Sequence, residues 1–380
     1  MSESANRYDA SRITVLQGSE AIRKRPGMYV GSTGERGLHQ AVFEVVGRAV
    51  NEVLAGRAGS VDVTLMRDGG VGVADDGAGV PVEVAGPGLE ALLTGAYTGA
   101  RQAGRDTAAV GLAGIGPCVA NALSSRLTAV VRHDGVRWVR EYERGVAVAP
   151  SMAVGPVSGS GTTITFWPDS DIFQTVECSF AVLAERFREL AFLNRGLSIS
   201  LSDARPPGEP RSVRFLGEAR DFVAFLDTSA GTPVHPDVIA FAWEDVRMAG
   251  TAEAALRWST SREERVRSFA NSRPTPGGGT HMVGFRDGVT VAVNAYARER
   301  RLLTATDLDL SADQVCEGLT AVVSVKLDHP EFQGATRGVL GNAAVRASFG
   351  EAVREHLANW MAGHPEQAAA VIGRIVPDRT

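Results

Sequence analysis

Cysteine is scarce in this 380-residue chain: Cys118, Cys178 and Cys316 lie far apart, and no C-x-x-C occurs. That argues against a disulfide framework and against a zinc site. Long hydrophobic runs are lacking too. No stretch approaches the roughly 18 consecutive apolar residues of a membrane helix. The opening MSESANRYDASRITVLQGSEA has neither a basic start nor an apolar run, so it does not read as a signal peptide. Positive charge is not in excess. The formal net charge is −5, so nucleic-acid contact would need a local patch rather than bulk electrostatics. These absences point to a reducing, cytoplasmic protein with no membrane association.

What is present is a globular composition, with 44% hydrophobic and 22% charged residues. The length exceeds one typical core, so two domains are expected. After a polar arm (1–16), GSEAIRKRPGMYVG (18–31) opens helically and breaks at Pro-Gly. SVDVTLMRDGGVGVADDGAGVP (60–81) alternates apolar and polar residues on both sides of Asp68-Gly69, a hairpin signal. Residues 88–110 begin helical and dissolve into a Gly, Ala, Thr and Arg flap. GLAGIGPCVANALSS (111–125) reads as a Gly-rich turn opening a helix, with Pro117 at its first position. Strand-like runs fill 127–168, and FAVLAERFRELAFLNRG (180–196) is an amphipathic helix with a stop at Asn194 to Gly196. PPGEP (206–210) is a loop. LTAVVSVKL (319–327) reads as a buried strand. GNAAVRASFGEAVREHLANWMAGHP (341–365) reads as a long terminal helix, and a break is expected at Pro377. Overall this is α+β, the second domain containing a βαβ unit.

Three stretches could carry chemistry. In the helix HQAVFEVVGRAVNEVLAG (39–56), Glu44, Arg48 and Asn51 fall at i, i+4 and i+7 and share one face. That face is either a solvated stripe or an active site. VADDGAGVP (73–81) puts two carboxylates at a strand end before Gly77 and Gly79. A tight turn would explain it; so would a carboxylate that accepts from a ligand amine, with glycines admitting the ligand to the backbone. GLAGIG (111–116) sets Gly111, Gly114 and Gly116 before a helix, where backbone N–H groups bind phosphate. The Gly-Lys-Ser/Thr of a P-loop is missing, and a plain strand–helix connection is the competing reading.

The combination is more specific than its parts. The Glu44 helix, DDGAGVP, GLAGIG and SGTTITFW follow in that order at domain-scale spacing. The chain resembles the GHKL ATPases, in particular the B subunits of bacterial DNA gyrase and topoisomerase IV. RYDASRITVLQGSEAIRKRPGMYVGSTGERGLH, FLNRGLSISLSD, GGGTHMVGFR and GLTAVVSVKLDHPEFQGATRGVLGN extend the resemblance over nearly the whole chain. It implies a Bergerat-type ATP-binding α/β sandwich over 17–220 and a ribosomal-S5-like α/β transducer domain over 221–380, the family's Toprim domain being absent. It implies ATP as ligand, a homodimer formed through the arm at 1–16, and a gyrase A or B subunit as candidate partner. Carried over residue by residue, Glu44 is the general base, Asp75 takes the adenine amino group and Thr162 supports that pocket. Gly77, Gly79, Val80 and Pro81 line it. Gly111, Leu112, Gly114, Ile115 and Gly116 belong to the phosphate lid. Arg337 stands for the transducer lysine that reaches the γ-phosphate. Tyr8 and Ile13 match the anchoring residues of the arm.

The departures from the family cluster in the chemistry. Arg48 occupies the position of the asparagine that holds Mg²⁺. Arginine has donors and no acceptor, so Mg²⁺ binding is in doubt. Asn51 replaces an aspartate, Gln40 a histidine that orients the catalytic glutamate, and Ala78 an arginine. Pro117 removes an N–H after the lid, and the flap reads AYTGAR. Two roles are open for Arg48. It could contact the phosphates in place of part of the metal's charge. It could instead pair with Glu44 one turn away, favouring ionised Glu44 and weakening it as a base. Both predict poor hydrolysis. The expectation is a gyrase-B-like, type II topoisomerase ATP-binding module with hydrolysis weak or lost, unable to cleave DNA alone. The alternative is a non-enzymatic paralogue that pairs with a gyrase B subunit or binds ligands of its ATP pocket. DNA contact rests on the basic cluster ARERRLL (297–303), for which a solvated helix end is the competing reading.

Overall fold

The structure is a computed structural model that describes residues 18–82, 88–95, 104–111, 115–228, 231–304, 306–334 and 336–376. The arm with Tyr8 and Ile13, the AYTGAR flap (96–101), and Leu112 and Gly114 of the lid lie outside the described residues.

Two short helices, α1 (Ser19–Lys24) and α2 (Gly27–Val30), precede the long α3 (Glu35–Leu54). The hairpin β1 (Ser60–Leu65) and β2 (Val71–Asp75) follows, then α4 (Leu89–Thr94) and α5 (Cys118–Ala122). Strands β3 (Ser124–His133), β4 (Val136–Glu143), β5 (Val146–Ala147), β6 (Met152–Pro156) and β7 (Gly161–Pro168) come next. Helix α6 (Phe180–Leu193), β8 (Ser198–Asp203) and β9 (Arg211–Phe215) complete this half. Its sheet runs β5-β4-β3-β7-β2-β1-β8-β9, with β6 beside β4.

Spacing explains the elements that frame the site. Leu38, Ala41, Val42, Val45, Val46, Ala49 and Val50 recur at three- and four-residue steps, and each is at most 1% exposed. They give α3 one apolar face, and burying each Val or Leu contributes roughly 1.5–3 kcal/mol. A proline at Val46 would remove a ladder hydrogen bond and break that face. The β1–β2 turn forms as the Asp68-Gly69 signal implies. Gly70 N–H donates to Asp68 Oδ1 at 3.2 Å, and the strands pair antiparallel from Leu65↔Val71 to Val61↔Asp75.

In the second half α7 (Ala219–Asp227) leads to β10 (Ile239–Asp245), β11 (Gly250–Trp258), β12 (Arg265–Ala270) and β13 (Arg273–Pro274). Helices α8 (Thr280–Glu299) and α9 (Ala312–Cys316) precede β14 (Leu319–Leu327). The small ribbon β15 (Phe332–Gln333) and β16 (Val339–Leu340) is followed by α10 (Ala343–Gly363) and α11 (Pro365–Ile375). The sheet order is β10-β11-β14-β12-β13. β14 lies inside it, and its residues from Leu319 to Val325 are buried without interruption, as a strand covered on both faces requires. β12 and β14 pair parallel across the α8 connection, the expected βαβ unit.

Two cores result, one drawn from Ile22 to Phe215 and one from Ile239 to Ile375. A third cluster containing Leu193, Phe222, Phe269 and Val322 joins the halves. Cys118, Cys178 and Cys316 are buried free thiols. No helix among the described residues is long and apolar enough to cross a membrane.

Two local expectations need correction, and one is extended. The helix after the Gly-rich turn is only Cys118–Ala122, with Pro117 at its cap rather than its first position, because β3 already begins at Ser124. The RPG segment does not simply end a helix; α2 starts at Gly27. The long helix expected over 341–365 forms as α10, and a further helix, α11, follows it after His364, while Pro377 lies outside the described residues. Pro365 cannot extend the ladder of α10, yet its fixed φ suits the first turn of α11.

Candidate functional site

β2 and β7 are antiparallel neighbours, and their register sets Asp75 opposite Thr162. The chain beyond β2 folds back onto this pair. Gly77 N–H donates to Asp75 Oδ1 at 3.1 Å, and Val80 N–H donates to Thr162 Oγ1 at 3.1 Å. Gly79 holds φ at 82°, and a Cβ there would collide with the Arg132 carbonyl, so glycine is required. Pro81 sits at the rim, its carbonyl accepting from Leu89 N–H at 2.9 Å. This corner is the base end of the expected site.

Arg48 closes it. Its Nη1 donates to Asp75 Oδ2 in a short ion pair, and its Nη2 donates to Thr162 Oγ1 at 3.2 Å. The Asp75 side chain is 0% exposed and that of Arg48 12%. The guanidinium thus turns to Asp75 and Thr162, and the pairing with Glu44 one turn away does not form. The cause is electrostatic. A fully buried carboxylate without a counter-charge costs several kcal/mol. The planar guanidinium fork can serve the carboxylate and the adjacent hydroxyl together.

The other end of the site is built on Glu44, which is buried in α3. Its Oε2 accepts from Gly116 N–H at 2.9 Å. A Cβ on Gly111 would collide with the Glu44 carboxylate, so the lid approaches the helix only because residue 111 is glycine. Asn51 serves a different contact; its Oδ1 accepts from Ala108 N–H at 2.9 Å and holds the segment leading to the lid. The Ile115 side chain belongs to the core rather than to a ligand surface. Burial, reinforced by the Glu44 charge, pushes the Cys118 thiol up to about 12, which makes it inert as a nucleophile. His39 Nε2 accepts from Ser179 N–H at 2.9 Å, so the neutral ring carries its proton on Nδ1, and burial lowers its pKa. Gln40 Oε1 is buried with no hydrogen-bond partner among the described residues.

Residues from the second half complete this end, and sequence reasoning missed them. Arg273 of β13, 8% exposed, donates from Nη2 to the Gly111 carbonyl at 2.8 Å. Burial first, then repulsion from Arg337 and Arg186, lowers its pKa to about 10, while Glu44 acts in the opposite direction. Arg337 itself is exposed, at a φ of 53°. Arg186 donates to Glu189 and to the Ser272 carbonyl, each at 2.9 Å. Asn271 O accepts from Ala109 N–H at 2.8 Å, and Lys326 Nζ donates to Asn194 Oδ1 at 2.9 Å. An arginine opening β13 after a two-residue turn was the only available signal, and nothing in it points back to residue 111.

A divalent cation does not fit this donor set. The expected ligand position holds Arg48, whose nitrogens only donate. The Asn51 oxygen is engaged by Ala108. No group of three or more His, Cys, Asp or Glu among the described residues could hold a metal. In the basic cluster at 297–303 Arg298, Arg300 and Arg301 are exposed, and Arg298 is held at the helix end, pairing with Asp309 at 2.6 Å and donating to the carbonyls of Thr304 and Asp307.

The comparisons with known proteins divide along the same two halves. Residues 33–172 match the family described as "Histidine kinase-, DNA gyrase B-, and HSP90-like ATPase", and residues 219–379 match "DNA gyrase B". The novobiocin-resistant DNA gyrase B subunit of Streptomyces niveus is 44% identical, over 98% of this chain and 58% of that protein. The DNA gyrase B subunit of Streptomyces coelicolor is 44% identical, over 96% of this chain and 56% of that protein. The chain thus spans somewhat more than half the length of these relatives. Among solved structures, the 43K ATPase domain of Thermus thermophilus gyrase B, in complex with an aminocoumarin, matches with a TM-score of 0.79 at 30% identity. That match covers 97% of this chain and 95% of the other.

Proposed function

The chain belongs to the gyrase B family, and from that premise we propose that it is an ATP-binding module whose hydrolysis is weak or lost. In this reading residues 17–220 form the nucleotide-binding domain and 221–380 the transducer, and the arm at 1–16 pairs two copies. The base would meet Asp75 and Thr162, the phosphates would lie under the Gly111–Gly116 lid with Arg337 above, and Glu44 would hold the general-base position. The observation that carries the reading is the Arg48 guanidinium on Asp75 and Thr162. It competes for the acceptor an adenine amino group would use, and it removes the amide oxygen that would hold a metal.

Titration calorimetry with a non-hydrolysable ATP analogue tests binding. Weak association in the wild type, strengthened in Arg48→Asn, is the expected result. Absence of binding by both proteins at millimolar ligand would overturn it. Turnover by wild type indistinguishable from Glu44→Ala would place hydrolysis at zero.

The same self-occupied base corner favours a second reading, in which the chain acts as an interaction partner of a gyrase subunit. Co-elution with a purified gyrase B subunit in the absence of nucleotide separates it from the first.

A further inference from the structure

We propose that β10 is an open sheet edge that pairs antiparallel with β10 of a second copy of this chain. The contact uses neither a nucleotide nor the arm, so it stands apart from the function proposed above.

The two large sheets end on four edges, and three of them are guarded. β5 and β6 form a broken edge, with Pro156 closing β6 and a register shift against β4. β9 presents the exposed Arg211 and Arg214. β13 is two residues long and ends in Pro274. Proline, irregular register, charge and shortness each oppose edge-to-edge pairing. β10 runs seven residues, IAFAWED, without a proline or a basic residue, and stays in register with β11 throughout. Its two acids are already neutralised, Glu244 by Arg105 and Asp245 by Arg247. No strand pairs with its outer side among the described residues, so every second residue turns an N–H and a C=O outward.

The residues around β10 match themselves when reversed. About a two-fold axis at the exposed Ala242, Phe241 falls opposite the partner's Trp243. Both rings are half-buried, and aromatic cross-strand pairs stabilise a ladder. Continued past the strand, Val238 falls opposite the partner's Val246, which is 89% exposed in the single chain. Asp237 falls opposite the partner's Arg247, and the two-fold forms this charge pair twice. Gln367 holds Asp237 Oδ2 at 2.9 Å, while Asp245 and Glu351 hold Nε and Nη2 of Arg247. Asp237 Oδ1 and Arg247 Nη1 make no hydrogen bond among the described residues, so each has an atom for the partner.

The experiment is sedimentation equilibrium of the full chain without nucleotide. A reversible dimer is expected. Ala242→Pro, which removes the N–H on the axis, should weaken it at least tenfold. Asp237→Arg and Arg247→Asp should each weaken it by like-charge repulsion, and an equimolar mixture of the two proteins should pair again. Ala242→Cys should cross-link to itself under a mild oxidant, since paired Cα atoms about 4.5–5.5 Å apart suit a disulfide. Ala240→Cys, opposite Glu244, should not, and the native cysteines are buried. The mixture and the cysteine pair report even if Ala242→Pro does not fold. A wild type that stays monomeric at about 0.1 mM overturns the proposal. So does a dimer that survives both charge reversals, or cross-linking through position 240 rather than 242. A gyrase B subunit that co-elutes with a monomeric wild type but not with Ala242→Pro would give the edge to a different chain, and overturns the self-pairing too.

Discussion

At the base end of the site Arg48 meets a buried carboxylate and a hydroxyl, which hold its charge in place. At the phosphate end Arg273 bonds the Gly111 carbonyl and lies in the repulsive field of Arg337 and Arg186. The same side chain therefore does two things. Where it meets an anionic acceptor, arginine fills the pocket and competes with a ligand. Where it meets a backbone carbonyl across the seam, arginine ties one half to the other. The acceptor within reach, more than residue type, separates a plug from a tether.

The most forceful way to break this contrast is Asp75→Ala, which leaves Arg48 without its counter-charge. A loss of about 3 kcal/mol is expected in urea denaturation. Pairing it with Arg48→Met should recover most of that loss. A loss below about 1 kcal/mol for the single variant would mean that Arg48 swings freely to solvent.

Acid probes the fold behind the phosphate end. His281, at the start of α8, bonds Thr275 at 3.1 Å, and burial lowers its pKa from 6.5 to about 4. The unfolded chain therefore takes up the proton first. Stability is full above pH 6.5 and falls as the pH drops toward 4, by roughly 3 kcal/mol at the limit. His39, also lowered by burial, adds in the same direction. A pH series of denaturation midpoints should lose much of its slope between 6.5 and 4.5 in His281→Gln, a window above most carboxylate titration.

Gly111→Ala tests the contact that brings lid and helix together. The added methyl meets the Glu44 carboxylate, and a cost of about 1–3 kcal/mol is expected, with faster amide exchange at Gly116. Arg48→Asn sharpens the comparison from the other side. Removing an internal competitor should raise affinity for an ATP analogue about tenfold, or about 1.4 kcal/mol. The smallest effect belongs to Arg298→Ala, whose partly exposed pair with Asp309 should contribute under about 1 kcal/mol. Duplex DNA retention at physiological salt should not change, and a clear drop would reinstate the basic cluster as a contact.

Much of the scaffold was legible in the residues. The three-and-four spacing of α3, the Asp68-Gly69 turn and the apolar run of β14 are local patterns, and each produced its element. Asp75 and Glu44 could be singled out because the family resemblance rests on short motifs. The direction of Arg48 was not legible. Helix spacing offered Glu44 one turn away, whereas its partners Asp75 and Thr162 lie 27 and 114 residues along the chain. Arg273 was further out of reach, since its contact with Gly111 spans 162 residues. Pro365 was legible as the end of α10 but not as the start of α11, because a proline that ends one helix is equally suited to begin another, and only the packing of α11 decides.

The amino-acid sequence by itself determined the two α/β halves, the long helix carrying Glu44 and the strand ending in Asp75, because hydrophobic period and turn chemistry act over a few residues. Tertiary structure alone decided where the arginines point. A guanidinium on a long, flexible stem goes to the strongest acceptor within reach, and which acceptors lie buried within reach is settled only when distant strands, lid and helix have come together.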